Sequence, residues 1–453
     1  MDMDKKTVHG EWSSRFAFIL AATGSAVGLG NIWKFPYITG ENGGGAFVLV
    51  YLISVLVIGI PLMMAESMLG RRARQSPIGA MRLLTKEANA DESWHYLGWM
   101  GVLAGMLILS YYSVIAGWSM AYVFKAFFGS FSGAEARDIK ELFDNFTGSP
   151  LTLIFWHTLF MSITMWLVAQ GIQNGLEKAV RVLMPGLFVL LMLLVGYAMT
   201  TGAYEQGLSF LFKPDFSKIT GDAILIAMGH AFFTLSLGMG AIMVYGAYLP
   251  KNVSIARTSL LVVAADTVVA LLAGIAIFPI VFANHLEPSS GPGLIFQTLP
   301  IAFGNMTGGW FAGVLFFVML VFAALTSAIS LIEPAVAWLI ESRTMDRKVA
   351  CIWTGLSVWV LGLGSVFSFN IWSNVKVFDK TFFQLLDYLT ANLMLPIGGF
   401  CIAIFAGWVM VQKDAEAELA LANPLYYQIW LILVRYVAPA GIFLVFLHVV
   451  GVL

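Results

Sequence analysis

Long apolar segments separated by short polar stretches follow one another along the whole chain. A helix needs about 20 apolar residues to cross the hydrocarbon core of a bilayer. Eleven segments meet this requirement and predict membrane-spanning helices, which we number as spans 1 to 11, at 14–38, 46–69, 97–127, 151–169, 175–200, 222–249, 258–284, 310–340, 349–369, 382–410 and 427–450. Span 1 is too long, and too closely followed by span 2, for a cleaved signal peptide.

The charges of the loops predict the orientation of these spans. Lysine and arginine accumulate in cytoplasmic loops of membrane proteins. With the N-terminus inside, most loop cations are cytoplasmic, and the outside holds only Arg137, Lys140, Lys213, Lys218, Lys376 and Lys380. Eleven spans then place the C-terminus outside. We expect one transmembrane domain over 1–453, in which 14–200 and 222–410 are two five-helix sets and 427–450 is an extra span.

The composition excludes most other classes of protein. Apolar residues make up 59% of the chain and charged residues 11%, against about 25% charged residues in soluble domains. A soluble enzyme or a nucleic-acid-binding protein is therefore excluded, and the net charge of −1 indicates no polyanionic partner. The chain has two cysteines and no HExxH or GxxxxGK[ST] motif, so no transition metal, organic cofactor or ATP site is indicated.

Two spans contain glycine clusters that interrupt a helix. Span 1 carries Gly24, Gly28 and Gly30, and span 6 carries Gly238 and Gly240. Glycine lowers the cost of unwinding, but unwound backbone at membrane depth is tolerated only where it lines a site. Spans 1 and 6 begin two five-span sets, and since five is odd the second set is inverted. Such a pair predicts a transporter binding site, although small residues also serve close helix packing.

Five ionisable residues lie within the predicted spans. Charges at this depth are costly and are functional by default. The external ends of spans 1 and 10 allow Lys34 and Asp387 to pair as an outer gate, or Lys34 to snorkel to the interface. Glu66 either accepts bonds from amides of the breaks or lies near the inner interface, and we expect a structural role for Glu333. Asp266, surrounded by apolar residues, needs a compensating cation or donor.

These residues and motifs resemble those of the neurotransmitter:sodium symporters, in particular their bacterial amino-acid transporters of the LeuT type. The resemblance covers almost the whole chain, and it implies an all-α membrane fold with a 5+5 inverted repeat, broken helices 1 and 6, and one further span. Its motifs are Gly24–Asn31 with Lys34-Phe35-Pro36, Glu41–Phe47, Gly59–Leu62 with Glu66, Phe232–Gly238 and Leu325–Ser327. It also implies sodium-driven uptake across the cell membrane.

The resemblance further implies two sodium sites built from hard oxygen donors. Site one would use Ala26, Asn31, Thr234 and, from span 7, Asp266. Site two would use Gly24, Val27, Ala323, Thr326 and Ser327. Adjacent hydroxyls such as those of Thr326 and Ser327 also commonly bond carbonyls of their own helix.

The implied substrate site lies between spans 1, 3, 6 and 8. Its residues would be Ala26, Leu29, Gly30, Ile108, Tyr112, Phe233, Ser236, Met239, Ser327 and Leu331. Amine-transporting relatives have an aspartate at the position of Gly28, so we expect a substrate with its own carboxylate, with another zwitterion or an amine as the alternative. The uncharged pocket and the adaptable Met239 predict neutral aliphatic and aromatic amino acids. Asp266 would replace the charge of chloride.

Gating residues are also implied by the resemblance. Tyr112 and Phe233 would form an outer lid beneath Lys34 and Asp387. The inner gate would involve Trp12 and Glu341, with the basic partner being His9, Lys5 or Lys6. Gly175 and, ten residues on, Pro185 predict that the cytoplasmic end of span 5 unwinds, or that Pro185 only kinks the helix.

Overall fold

The computed structural model describes residues 11–287 and 293–452, and the secondary structure of these residues is helical. Among the described residues, nine helices are long and apolar enough to cross a membrane, and a bent pair gives a tenth: Gly45–Ala73, Glu92–Phe127, Pro150–Ala169, Ile172–Ala198, Ile255–Ala283, Gly309–Arg343, Arg347–Phe367, Phe382–Val409, Pro424–Val449, and Arg15–Ala26 with Gly30–Glu41. These are spans 2 to 5, 7 to 11, and 1. Their ends differ from the predicted ends by a few residues.

Spans 1 and 6 are each divided into two shorter helices, as their glycines predict. In span 1, Arg15–Ala26 and Gly30–Glu41 meet at an angle of 51°. In span 6, Gly221–Thr234 is followed by the non-helical residues 235–240 and by the helix Ala241–Ala247. The outer half of span 6 is therefore too short to cross a membrane alone.

Short helices occupy several of the predicted loops. Pro77–Glu87 and Gln412–Leu419 lie on the predicted cytoplasmic face, and Ala136–Gly148, Tyr204–Phe212 and Leu299–Asn305 lie on the outer face. Ala136–Gly148 begins with a reciprocal capping box formed by Glu135 and Asp138.

The packing of the spans separates a central group from peripheral ones. Span 8 lies along span 3, both halves of span 6 pack against span 2, and the inner half of span 1 packs against span 7. In the most apolar stretch of span 8, 78% of the residues are buried, against 33% in spans 4 and 5. The breaks of spans 1 and 6 therefore lie within protein, where unwound backbone finds partners. Span 1 packs on span 7 and span 6 packs on span 2. This is the reciprocal arrangement that two related five-helix sets predict.

Candidate functional site

The break in span 1 exposes carbonyl groups toward span 8. The helix Arg15–Ala26 ends at Val27, whose backbone is extended (φ −70°, ψ 105°). The hydroxyl of Ser327 donates toward the carbonyl of Val27 at 3.2 Å and lies 3.4 Å from those of Gly24 and Ser25. These three carbonyl oxygens, which would bond within the helix if span 1 were continuous, are thus directed toward the hydroxyl of Ser327.

The break in span 6 depends on residues with positive φ. Ser236, Gly238 and Gly240 have φ values of 55°, 82° and 75°, a region that L side chains rarely adopt. The buried carboxylate of Glu66 accepts a hydrogen bond of 2.5 Å from the amide of Gly238, one of the two roles expected for it. The hydroxyl of Ser236 donates to the carbonyl of Ser25 at 2.9 Å, and so joins the two breaks.

Asp266 lies at the centre of a buried polar cluster. The amide of Asn31 donates to its Oδ1 at 2.8 Å, and the hydroxyl of Thr234 donates to its Oδ2 at 3.2 Å. Asn31 in turn accepts a bond from the amide of Gly28 at 3.0 Å. Three of the four residues predicted for sodium site one are therefore joined by hydrogen bonds, and the fourth, Ala26, is the last residue of the helix before the break.

The residues predicted for sodium site two lie on the other side of the break. Thr326 donates to the carbonyl of Ala323 at 3.0 Å, while Ser327 contacts the carbonyls of Gly24 and Val27. A Cβ atom on Gly24 would lie 3.1 Å from the Cβ of Thr326. Glycine at this position therefore lets the backbone of span 1 approach span 8 closely. The alternative, bonding to carbonyls of their own helix, holds for Thr326, whereas Ser327 bonds carbonyls of span 1.

The ten residues predicted to bind the substrate line one cavity of about 50 Å³ between spans 1, 3, 6 and 8. The cavity is also lined by Ser25, Gly28 and Thr234. The sequence analysis does not assign Ser25 to this cavity. The available signal was its position, directly before Ala26 at the break of span 1. The lining residues carry no formal charge, and the hydroxyl of Tyr112 lies 3.5 Å from the amide of Leu29.

A second cavity of about 160 Å³ lies above the first. The rings of Tyr112 and Phe233 line both cavities, together with Leu29, Gly30 and Ile108. Lys34 and Asp387 line the upper cavity. No ion pair joins these two described residues; instead the ammonium group of Lys34 lies 4.5 Å from the centre of the Phe233 ring. The expected gate pair is thus close but unpaired in this structure.

On the inner face, Trp12 and Glu341 are both engaged with other helices. The indole of Trp12 donates to the carbonyl of Tyr245 at 3.2 Å. Glu341 accepts bonds from the amide of Ser76, at 2.7 Å, and from its hydroxyl. The expected basic partners, Lys5, Lys6 and His9, lie outside the described residues.

The residues beside Trp12 contact the cytoplasmic end of span 5. Ser13 donates its amide to Glu177 at 3.1 Å, and its hydroxyl contacts the same carboxylate. Glu11 pairs with Arg74 at 2.7 Å. Span 5 is wound here, as a wide turn over Ile172–Glu177 and a helix from Lys178 that continues through Pro185. Unwinding around Gly175 is not present in this structure and stays a prediction.

Glu333 forms a buried charge cluster that sequence reasoning missed. Its carboxylate binds both terminal nitrogens of Arg347, at 3.0 and 2.5 Å, and accepts a bond from Tyr248 at 2.9 Å. Glu333 is fully buried. A structural role is expected for Glu333, and its partners come from span 9 and from the cytoplasmic end of span 6. Fourteen residues separate Glu333 from Arg347, and no local pattern indicates the pair.

Comparisons with known proteins identify this architecture. The model of the sodium:neurotransmitter symporter family matches residues 9–139 and 136–452. An uncharacterised sodium-dependent transporter of Bacillus subtilis (strain 168) is 38% identical over 446 residues, which cover 98% of each chain. An uncharacterised sodium-dependent transporter of Haemophilus influenzae is 36% identical, over 96% of this chain and 97% of the relative.

A solved structure shows the same fold. The crystal structure of MhsT in complex with L-phenylalanine superimposes with a TM-score of 0.89 and 43% identity, covering 97% of this chain and 99% of that one. The expected LeuT-type fold and the resemblance stated from the motifs are thereby confirmed. The protein is a multi-pass membrane transporter and not an enzyme. Its motifs, its fold and these matches together establish that the chain belongs to the sodium:neurotransmitter symporter family.

Proposed function

We propose that this protein imports neutral hydrophobic L-amino acids by sodium symport, with two sodium ions and without chloride. The observation that carries the proposal is a single uncharged cavity at the two helix breaks, bordered by the Asp266 cluster and by the carbonyl and hydroxyl groups near Ser327. The phenylalanine bound in the structure of MhsT supports this class of substrate.

The first sodium ion would bind at Asp266, Asn31, Thr234 and the carbonyl of Ala26. The proposal is supported by the hydrogen bonds that join Asn31, Thr234 and Asp266, and by the full burial of the Asp266 carboxylate among neutral donors. A cation supplies the compensation that a buried negative charge needs. The ligands are oxygens, which suit a hard cation.

The second sodium ion would bind between span 1 and span 8. Its ligands would be the carbonyls of Gly24, Val27 and Ala323 and the hydroxyls of Thr326 and Ser327. In this structure those hydroxyls bond the carbonyls. A sodium ion would take the place of these bonds and join the two helices through the same oxygens.

The substrate would be held by its backbone at the breaks and by its side chain in the apolar part of the cavity. The amides of Leu29 and Gly30, the hydroxyl of Tyr112 and the first sodium ion would receive the carboxylate. Carbonyls at the breaks, including those of Phe233 and Ser236, would receive the amine. Ile108, Met239 and Leu331 supply apolar surface. Because residue 28 is glycine, no acidic side chain at this position pairs with the amine of a substrate that lacks its own carboxylate.

Chloride independence follows from the same cluster. If Asp266 both ligates sodium and supplies the negative charge beside it, no mobile anion is required. Chloride-dependent uptake by the unmodified protein would contradict this assignment of Asp266.

Transport would proceed by alternating access around the fixed cavity. Tyr112 and Phe233 would close the outer side beneath Lys34 and Asp387, and contacts of Trp12 and Glu341 would close the inner side. Unwinding of span 5 between Gly175 and Pro185 would admit water to the second sodium site. Two sodium ions gain about 4.6 kcal/mol from a membrane potential of 100 mV, which equals roughly three decades of accumulation.

Uptake into proteoliposomes tests the proposal. Purified protein is reconstituted, and accumulation of labelled leucine or phenylalanine is compared under sodium and potassium gradients, with chloride or gluconate as the anion. Sodium-dependent accumulation that an interior-negative potential increases, equal in both anions, is expected. Competition by a panel of amino acids, amines and betaines then distinguishes the alternative, a carrier of another zwitterion or an amine. Preference for an amine would contradict the proposal.

A further inference from the structure

Span 11 carries an arginine within its apolar sequence. Arg435 lies in the wide turn Leu433–Val437, inside the span Pro424–Val449. Tyr436 and Phe443, two helical turns apart on one face, are 55% and 49% exposed, so this side of span 11 faces outward from the bundle. Arginine stays ionised in proteins, and a charge within a span is costly unless it has a partner. Arg435 therefore requires a counter-ion.

Span 10 holds the side chain of Arg435 in place. Its Nε donates to the carbonyl of Gly407 at 2.5 Å, and its guanidinium carbon lies 5.1 Å from the centre of the Trp408 ring. The indole of Trp408 donates in turn to the carbonyl of Arg435 at 3.2 Å. A Cβ atom on Gly407 would lie 2.9 Å from the Cγ of Arg435, so glycine leaves room for this side chain. These contacts fix the guanidinium group through Nε and the indole, and they use neither terminal nitrogen.

The part of the chain that the structure describes supplies no anion for Arg435. No ion pair between described residues includes it, and neither of its terminal nitrogens has a hydrogen-bond partner among them. The neighbouring helix Gln412–Leu419 carries three acids, but Asp414 and Glu418 pair with arginines of span 2, and Glu416 is exposed. The guanidinium group thus presents its charge and its terminal donors to a ligand from outside the chain.

Aromatic residues indicate that Arg435 lies at the level of the inner lipid head groups. Trp408 belongs to the last turn of span 10, Phe405–Val409, which is followed on the predicted cytoplasmic face by the helix Gln412–Leu419. Trp408 is 52% exposed, and its ring meets that of Tyr436 edge to face at 5.4 Å. Exposed tryptophan and tyrosine are enriched where the hydrocarbon meets the head groups. The terminal nitrogens of Arg435 are therefore within reach of a lipid phosphate.

We propose that Arg435 binds the phosphate of an anionic phospholipid of the inner leaflet, at a site formed by spans 10 and 11. Its two terminal nitrogens donate to two phosphate oxygens, a forked geometry that arginine provides and lysine does not. The acyl chains run toward the centre of the membrane along the exposed rings of Tyr436 and Phe443. A zwitterionic lipid carries its own ammonium group beside the phosphate, so a head with net negative charge, such as phosphatidylglycerol, compensates Arg435 better.

This site is separate from the transport path. Arg435, Trp408, Tyr436 and Phe443 line neither the central cavity nor the upper one. Lipid binding here is therefore independent of the proposed function, and the two are tested by different measurements.

Quenching of Trp408 fluorescence by brominated lipids tests the site directly. The full-length protein is placed in nanodiscs of phosphatidylcholine that contain increasing fractions of phosphatidylglycerol with brominated acyl chains, or of phosphatidylcholine with the same chains. The difference in quenching between wild type and Trp408→Phe isolates the indole beside Arg435. We expect this difference to saturate at a fraction of brominated phosphatidylglycerol about tenfold or more below that of brominated phosphatidylcholine.

Variants of Arg435 identify the group responsible, each measured with and without Trp408→Phe. Arg435→Gln loses the charge but places an amide nitrogen at the position of Nε, where it can still donate to Gly407. In this variant the two lipids should quench equally. Arg435→Lys keeps the charge without the fork and should keep part of the preference. Arg343→Met, which removes an exposed cation at the cytoplasmic end of span 8, should keep all of it.

Three results would overturn the site. Equal quenching by the two lipids in the wild type means that Trp408 meets only bulk lipid, and this comparison needs no variant of Arg435. A full preference in Arg435→Gln, with a melting temperature like that of the wild type, assigns the preference to another cation. Loss of the preference when glycerol 1-phosphate is added in solution indicates a site for soluble phosphate and not for lipid. Failure of sodium-driven uptake would overturn the proposed function and leave these results unchanged.

Discussion

Asp266 is the single side chain on which the proposed ion dependence rests. Its carboxylate is fully buried and is held by the amide of Asn31 and the hydroxyl of Thr234. Both partners are neutral donors, so the negative charge has no protein cation beside it among the described residues. Under the proposed function, sodium completes the charge balance of this site.

Replacing Asp266 by asparagine tests this balance. The Asp266→Asn protein keeps the shape of the cluster but loses the charge, so sodium binds more weakly and an external anion becomes useful. We expect uptake to need about tenfold more sodium, for a lost interaction of about 1.4 kcal/mol, and to increase when chloride replaces gluconate. Thr234→Val removes an oxygen but no charge. It should weaken sodium binding, so that uptake needs more sodium, and it should not make uptake respond to chloride. Identical anion responses of the two variants would contradict the role of Asp266.

Gly28 and Gly30 form a matched pair of positions in the break of span 1. A Cβ atom at Gly28 would lie 2.5 Å from the hydroxyl oxygen of Ser327, whereas one at Gly30 would lie 3.6 Å from the ring of Phe233. Ser327 bonds carbonyls of the break, so displacing it disturbs the second predicted sodium site. We expect Gly28→Ala to reduce initial uptake rates at least about tenfold and Gly30→Ala to leave them within about twofold. Comparable losses in both would refute the steric explanation.

At the level of the helix, span 5 combines a wide turn over Ile172–Glu177 with a helix that contains Pro185. Proline in a helix interior is about 3 kcal/mol less favourable than alanine. Pro185 also lacks the amide hydrogen that would bond the preceding turn. The first turns of span 5 are thus easier to open than those of a regular helix.

Pro185→Ala should stabilise the cytoplasmic end of span 5. We expect slower hydrogen exchange of the amides between Ile172 and Arg181, and slower uptake because water reaches the second sodium site less often. Pro439→Ala, at the start of the last helix of span 11, serves as the control and should leave both measurements unchanged. Faster exchange at span 5 in Pro185→Ala would contradict an unwinding role.

The helix breaks were predictable because glycine spacing is a local property. Gly24, Gly28 and Gly30 are visible in the sequence, and so is an isolated Asp266 in an apolar span. The partners of Glu333 were not predictable, since Arg347 and Tyr248 approach it only through tertiary packing. The same holds for Glu177, whose contact with Ser13 joins residues 164 positions apart.

At the scale of the whole molecule, the Glu333 cluster joins spans 8 and 9 to Tyr248, at the cytoplasmic end of span 6. Arg347 also donates to the carbonyl of Val168 at 2.8 Å, at the end of span 4. Four parts of the chain therefore meet at one charge pair. Removing one member of a buried pair leaves the other charge without compensation and typically costs about 3–5 kcal/mol.

Thermal unfolding of purified variants measures this contribution. Arg347→Met and Glu333→Gln should each lower the melting temperature clearly, and Arg347→Met with Glu333→Gln should recover part of the loss, because neither charge is then buried alone. Arg343→Met, at an exposed position of span 8, should melt like the wild type. Strictly additive losses in the double variant would show that the pair is not coupled.

Under the proposed alternating access, the contacts of residues 11–13 affect how the inner side opens. Glu11, Trp12 and Ser13 bind Arg74, Tyr245 and Glu177, which lie within or at the end of three different helices. Neighbouring residues on one backbone cannot move far apart, so release of one contact strains the next. Opening should therefore be cooperative, with few partly released molecules at any moment. A pulling force applied to the residues before Glu11, for example through an attached bead, should then move molecules between two states, closed and open. It should not produce a gradual opening.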